Sequence, residues 1–172
     1  NKPHFIGVSE MLTLSTDHTV TLLKNELEVQ LDELENHWHH ASLERIFIEN
    51  RIYRDIEEEN TWEGVLEAIR IGLEPHISIL KRAVVEEDLV KLTEIRIKRI
   101  SKFDIDNAQQ KIEALEGDIA EVKNHLSHLV DYAINYFKHL IKTYGKERER
   151  KSEIRIFDDV DAKKVVVRNQ KL

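Results

Sequence analysis

The sequence has no cysteine and one methionine, and only two prolines and five glycines among its 172 residues. The lack of cysteine excludes disulfide bonds, thiolate metal ligands and a cysteine nucleophile, and it suits a cytosolic protein. No apolar run approaches the roughly 20 residues that a membrane helix needs, and no secretory signal pattern is visible. Because 34% of the residues are charged, we expect long helices with solvated faces rather than a sheet-rich globule.

The net charge of −7 argues against a protein that coats nucleic acid, although it allows a local basic patch. One such patch is "KLTEIRIKRISKF" (91–103), in which five cations face a single acid. No glycine-rich phosphate-binding loop is present, so nucleotide binding by this segment is not expected. The carboxylate clusters lie at predicted helix ends, where acids are common. We therefore predict no catalytic residue, no cofactor and no metal ligand in this chain.

A heptad repeat runs through the second half of the chain, between residues 108 and 143. Its apolar residues follow one another at alternating steps of four and three, which is the pattern of a coiled-coil seam. Asp106 with Gln109 predicts a capping box at the start of this helix, and Gly145 predicts a left-handed cap at its end. A second apolar stripe predicts a wider buried face at the far end. The stripe consists of Val130, Ile134, Phe137, Ile141 and Tyr144.

An earlier heptad arm occupies residues 19–58, and its apolar residues recur every seven positions. Two arms in one chain, separated by a long insert with its own apolar pattern, predict an antiparallel hairpin. The alternative is that each arm pairs with another chain. The seven-residue series of the earlier arm is Val20, Leu27, Leu34, Ala41 and Ile48.

The insert between the arms predicts two helical pieces. Asn60 with Glu63 is typical of a helix start, and Gly72 and Pro75 are typical of its end. The second piece is predicted to run as one helix over 86–102, with acids in its first turn and bases in its last. The fold class is therefore all-α: a long antiparallel coiled-coil hairpin with a small helical cap at its tip.

Five segments follow from these patterns. They are a lead-in (1–18), an outgoing arm (19–59), a cap (60–105), a returning arm (106–145) and a linker (146–172). Two short strand candidates lie in the linker, at 153–157 and 165–172. Two short strands make no stable sheet alone, so this end is expected to lead into a truncated domain or to pack along the arm as a strap.

Three stretches of the sequence are informative together: "SLERIFIENRIYRDIEE" (42–58), "DLVKLTEIRIKRISKFD" (88–104) and "YGKERERKSEI" (144–154). They resemble the A subunit of bacterial type IIA DNA topoisomerases, most closely the topoisomerase IV form of the Bacteroidetes group. The resemblance implies a fragment of a dimeric, cytoplasmic, nucleoid-associated enzyme that passes one DNA duplex through another. Magnesium and ATP would be used together with the B subunit. In this family a tyrosine after an arginine is catalytic, and none of the four tyrosines here follows an arginine.

The resemblance also implies that the cap is the exit gate, which forms a homodimer. A helix over 86–102 would have two apolar sides, one for the cap and one for the symmetry mate. The predicted dimer-interface residues are Leu92, Ile95, Arg96, Ile97, Arg99 and Ile100. Weak DNA contact is predicted for Lys91, Lys98 and Lys102.

Two alternatives remain open at this point. If the arms pair residues whose numbers sum to about 164, His37, His39 and His40 lie opposite His125 and His128, and this group could bind zinc. The other interpretation is that these histidines are solvated flanks of the seam around Trp38. For the whole chain, the rival is a non-enzymatic coiled-coil hinge or arm of a chromosome-organising or RNA-binding protein.

Overall fold

The computed structural model describes residues 5–149 apart from Ile97, Arg99 and Ser101, and every regular element in this part of the chain is helical. The predicted all-α class is therefore confirmed, whereas the strand candidates at 153–157 and 165–172 lie outside the described residues. The elements are α1 (Val8–Glu49), α2 (Trp62–Leu73), α3 (Glu86–Thr93), α4 (Ile105–Ser127) and α5 (Leu129–Tyr144), with 3-10 segments at Ile52–Glu58, Glu74–Ile79 and Gly145–Glu147.

Helix α1 is the longest of these, with 42 residues and a length of about 63 Å at 1.5 Å per residue. It begins at Val8, well before residue 19, so much of the predicted lead-in is part of the same helix. It ends where Asn50 donates its side-chain Nδ2 to the Ile46 carbonyl at 3.0 Å and Arg51 adopts φ 57°. A left-handed residue stops helix propagation, and the chain turns there into the cap.

Helices α1 and α4 pack against each other in opposite directions within one chain, as predicted. Glu35 pairs with Lys123 at 2.7 Å, and further along α1 the Trp38 indole donates to Glu116 at 3.0 Å. Because residue numbers rise on one helix while they fall on the other, the pair is antiparallel. The apolar cluster between the helices consists of Trp38, Ile112 and Ile119, with Leu31, Leu34, Ala41 and Leu115 around it.

The returning arm is divided at His128, although the heptad pattern predicted one continuous helix. His128 has φ −121° and ψ 45°, outside the helical region. Ser127 donates its hydroxyl to the Asn124 carbonyl at 2.8 Å, and the His128 ring nitrogen Nδ1 lies 3.1 Å from the same oxygen. Such side-chain bonds to the backbone compete with the helical ladder, and sequence periodicity carries no trace of them.

Two helix starts differ slightly from their predicted positions. Asp104, rather than Asp106, caps α4 by accepting a hydrogen bond from the Asn107 amide at 3.1 Å. Thr61, rather than Asn60, caps α2 by accepting from the Gly64 amide at 3.1 Å. Gly145 is also not a left-handed cap, because no described glycine has a positive φ. It opens a short 3-10 turn instead.

The chain divides into two compact units, residues 1–134 and residues 135–172. The first unit holds the hairpin and the cap. The second holds most of α5, in which the rings of Tyr136 and Phe137 meet edge to face at 5.7 Å. Ile141 and Tyr144 of this unit are exposed, so the described residues do not bury the wider apolar face that was predicted here. None of the described helices is long and apolar enough to cross a membrane.

Candidate interaction surface at the cap

The cap is built around an apolar core that the C-terminal part of α1 shares with α2 and α3. Because α3 is amphipathic, Leu89 and Leu92 fall on one face and are both almost completely buried. Ile95, Ile100 and Phe103 pack against the edge of this core and remain half-buried. The buried members are Leu43, Ile46, Phe47, Ile48, Ile52, Ile69, Leu73, Leu89 and Leu92. Ile48, which the heptad pattern placed on the arm seam, therefore belongs to the cap.

The basic stretch is not one helix over 86–102, because α3 ends at Thr93 and the backbone of Ile95 and Arg96 is not helical. Thr93 donates its hydroxyl to the Val90 carbonyl at 2.6 Å, which competes with continuation of the helix. Glu94 follows as the C-cap residue. The side chains after this break therefore do not follow the face that periodicity assigned to them.

The predicted interface residues take up different environments in the structure. Leu92 lies in the core of its own cap, Ile95 and Ile100 are half-buried at its edge, and Arg96 is exposed. Ile97 and Arg99 lie outside the described residues. Three of the six, Ile95, Arg96 and Ile100, thus have surface that a partner can reach, while Leu92 supports that surface from beneath.

The three lysines predicted to contact DNA line one cleft, with a volume of about 830 Å³, between α1, α3 and the start of α4. Sequence reasoning did not find the remaining lining, because α1 and α4 contribute residues far away in the chain. The charged lining residues are Glu44, Asp88, Lys91, Glu94, Arg96, Lys98, Lys102, Asp104 and Lys111, with His40 beside them. Cations outnumber acids only slightly in this cleft.

A buried carboxylate, Asp88, joins the cap to α1. Its two oxygens accept hydrogen bonds from Arg82 Nη1 at 2.8 Å and Nη2 at 3.0 Å, and from the backbone N–H of Val85 at 3.1 Å. His39 on α1 lies with Nε2 3.2 Å from the same carboxylate. Both His39 and Asp88 are 1% exposed. Sequence reasoning missed this cluster, for which the only local signal is an acid at the third position of a helix.

Burial and neighbouring charges shift the pKa values in this cluster. Burial raises the pKa of Asp88, but hydrogen bonds from Arg82 and Val85 outweigh it, and the net pKa lies below the usual value. Burial lowers the pKa of His39, and the Arg82 charge lowers it further, against the opposing effect of Asp88. Burial and the nearby Lys91 ammonium also lower the pKa of His40. At neutral pH the arrangement is an ionised carboxylate with two neutral imidazoles.

The histidines do not assemble as the zinc hypothesis required. The contact between Trp38 and Glu116 fixes a register in which paired residue numbers sum to about ten less than 164. His39 contacts Asp88. His125 instead contacts Tyr132 on the returning arm, with 4.8 Å between the ring centroids. Among the described residues no group of three histidine, aspartate or glutamate side chains has the geometry to hold a metal ion.

Comparisons with known proteins identify the family of this chain. The family model for the A subunit of DNA gyrase and topoisomerase IV matches residues 1–138. The DNA topoisomerase 4 A subunit of Borreliella burgdorferi is 30% identical over 170 residues, which is 99% of this chain and 27% of that protein. The chain therefore spans about a quarter of the length of this relative. No solved structure matches this chain. Over most of its length, then, the chain belongs to the A-subunit family of DNA gyrase and topoisomerase IV.

Proposed function

We propose that this chain is the arm and exit-gate segment of the A protein of a bacterial topoisomerase IV. The observation that carries the proposal is the family match over 1–138, which covers both the hairpin and the cap. The hairpin supports it mechanically, because two packed helices form a stiffer lever than one. The rival assignment as an unrelated coiled-coil scaffold has no comparable support.

In the parent enzyme, one DNA duplex is cleaved, a second passes through the break, and the passed duplex leaves through the gate. That enzyme is an ATP-dependent DNA topoisomerase that uses magnesium and works with its B subunit in the bacterial cytoplasm, at the nucleoid. Catalytic groups, the nucleotide and the metal belong to other parts of the enzyme. The arm and cap contribute the mechanical step, which is to hold two copies of the chain together and then release them.

The proposed gate is a homodimer contact across a two-fold axis, in which the same patch of each cap faces itself. The half-buried Ile95 and Ile100 supply apolar surface, and Arg96 supplies a charged rim. Ile97 and Arg99 of the same stretch remain part of the proposal from the sequence. Leu92 takes part by fixing the position of this patch from inside the cap core.

The test is the solution mass of the chain, measured by light scattering across a concentration series. The wild type is expected to show dimer mass. Ile97→Glu and Arg96→Glu are expected to shift it to monomer, because each puts an unpaired acid against its own symmetry copy. Val29→Glu, at an exposed apolar position on the arm, is the matched control and should remain a dimer. Dimer mass in both cap variants would sink this assignment.

A second proposal concerns DNA, and the shared cleft of Lys91, Lys98 and Lys102 favours it. A passing duplex would meet these cations as transient phosphate contacts. For a labelled duplex of about 30 base pairs, the logarithm of the binding constant should fall linearly with the logarithm of the salt concentration. Each lysine that contacts a phosphate contributes about 0.9 to the magnitude of this slope. Lys91→Gln with Lys102→Gln should lower the slope by about 1.8, whereas Lys138→Gln on α5 should leave it unchanged.

A further inference from the structure

The contact between Asp88 and His39 joins two parts of the chain that belong to different packing clusters. His39 follows Trp38, which belongs to the hairpin cluster, and Asp88 lies in the first turn of α3 in the cap. Arg82, from the loop before α3, completes the group. A buried carboxylate is stable only when its oxygens are hydrogen-bonded and its charge is compensated. Arg82 and His39 together meet this need only while the cap lies against α1.

The protonation state of His39 follows from the geometry. An ionised carboxylate accepts hydrogen bonds and does not donate them. Nε2 of His39 therefore carries the proton and donates the hydrogen bond to Asp88. Nδ1 is then the unprotonated nitrogen, and it is buried without a hydrogen-bond partner among the described residues. A second proton on Nδ1 would create a buried N–H with no acceptor and an added charge close to Arg82.

The side chains around His39 set the balance of this second protonation. Asp88 faces it from α3 and favours the charged imidazole, while Arg82 faces it from the preceding loop and opposes it. On its own helix, His40 meets His39 edge to face at 6.0 Å. His40 accepts a hydrogen bond from the Lys91 ammonium at 3.1 Å, so it too is neutral in this arrangement. Since Asp88 already has a cation in Arg82, a second one gains little from it.

We propose that Asp88, Arg82 and His39 form a proton-sensitive latch that fastens the cap to α1. When His39 is neutral, the latch is closed and the loop before α3 is held against the arm. When His39 takes up a second proton, the closed form loses stability and the loop and the start of α3 detach from α1. The antiparallel packing of α1 on α4 lies outside the latch and stays formed. The latch does not depend on whether the cap serves as an exit gate.

The direction of the pH effect follows from linkage. A detached His39 titrates at its ordinary pKa of 6.5, whereas burial lowers the pKa of the latched form. The stability of the closed latch is therefore fully present above pH 6.5, and it is lost as pH falls through the interval between the two pKa values. One proton changes the ratio of open to closed forms by at most about tenfold per pH unit.

The experiment is hydrogen exchange on the 172-residue chain between about pH 7.5 and 5.5, a range that brackets the ordinary histidine pKa. Rates are expressed as protection factors so that the intrinsic pH dependence cancels. The reporting amides are those of Val85, Asp88 and Leu89, which are hydrogen-bonded at the start of α3. As pH drops below 6.5, the protection factors of these amides should fall by up to about tenfold per pH unit. Protection in α4, at Ile112 and Ile119, should not follow this change.

His39→Gln separates the latch from general acid sensitivity. A glutamine amide can donate to Asp88 in place of Nε2 but does not titrate, so the loss of protection should shrink. The remainder comes from His40, whose Nδ1 lies 3.7 Å from Asp88 and whose pKa burial also lowers. His37→Gln, two residues earlier and exposed, is the matched control and should keep the wild-type profile. The proposal is overturned if the wild type shows no loss, or if the loss is undiminished in His39→Gln.

A direct measurement keeps the proposal testable should His39→Gln fail to fold. NMR titration of the histidine ring carbons in the wild type should place the pKa of His39 below 6.5. A His39 pKa at or above 6.5 would contradict the latch. In Trp62→Phe, the remaining Trp38 lies under the Lys81 ammonium, 4.2 Å from the ring centroid. Its emission should shift in the same pH interval as the amides.

Discussion

Trp38 on the outgoing arm donates its indole N–H to the carboxylate of Glu116 on the returning arm, at 3.0 Å. The ring itself is 4% exposed and forms the centre of the hairpin cluster with Ile112 and Ile119. One side chain thus supplies both the packing and the register of the two arms.

Replacement of this ring should be the most damaging single change in the hairpin. Trp38→Ala leaves a cavity between the helices and is expected to lower the free energy of unfolding by about 3–5 kcal/mol. Urea denaturation followed by circular dichroism measures it. Trp62→Ala is the matched control, because Trp62 is 52% exposed, and it should cost less than about 1 kcal/mol. Similar costs for the two variants would contradict the assigned core.

Two glycines in helices predict opposite responses to alanine. At Gly72 in α2, an added Cβ would stand 2.7 Å from Ile52 Cγ2, so Gly72→Ala should destabilise the cap by about 1–3 kcal/mol. At Gly117 in α4 nothing lies within 4 Å, and Gly117→Ala should stabilise the chain by about 0.5–1 kcal/mol through helix propensity. Melting temperatures of the two variants should move to opposite sides of the wild type. A rise for both would mean that α2 does not approach Ile52 as described.

The cap of α4 offers a comparison between two neighbouring aspartates. Asp104→Ala removes the acceptor for the Asn107 amide and should cost about 0.5–2 kcal/mol. Asp106→Ala, inside the first turn, loses only a favourable charge near the helix N-terminus and should cost about 0.3–1 kcal/mol. Chemical denaturation at low salt and at about 1 M salt distinguishes them, because salt screens exposed charges. The cost at Asp106 should shrink with salt, while most of the cost at Asp104 should persist.

Protonation of the buried Asp88 carboxylate is expected to lower the stability of the folded chain in acid. Because its pKa in the folded chain lies below the ordinary value of 3.8, its contribution is fully present above pH 3.8 and is lost as pH falls below it. Asp88→Asn should cost about 2 kcal/mol at about pH 5, as expected for hydrogen bonds to a charged group. The gap between wild type and variant should narrow toward about pH 3. Urea titrations of the wild type and of Asp88→Asn over this pH range measure the gap.

The hairpin was predictable because it depends on repetition. Residues such as Leu27, Ile112 and Ile119 recur at coiled-coil spacing, and their burial follows from helix geometry alone. The starts of α2 and α4 were predicted to within two residues, since Asn60 and Thr61, or Asp104 and Asp106, are all acceptable caps, and only the backbone conformation selects between them.

The breaks at Thr93 and His128 could not be predicted in the same way. At each break a side-chain hydroxyl bonds to a backbone carbonyl, and at His128 the ring nitrogen lies near the same carbonyl. Periodicity does not register such contacts. The group of His39, Arg82 and Asp88 was out of reach for a different reason. Its members are 49 residues apart at the extremes, and nothing local in the sequence indicates that they meet.

Helix α1 takes part in both apolar clusters of the first unit: Trp38 belongs to the hairpin, and Leu43 and Phe47, further along the same helix, belong to the cap. No flexible joint interrupts the helix between them. The two clusters consequently share one continuous helix, so unfolding of this helix would disrupt both clusters at once. Global melting should therefore be a single cooperative event, and a shortened chain that begins after residue 50 should be unable to fold either cluster by itself.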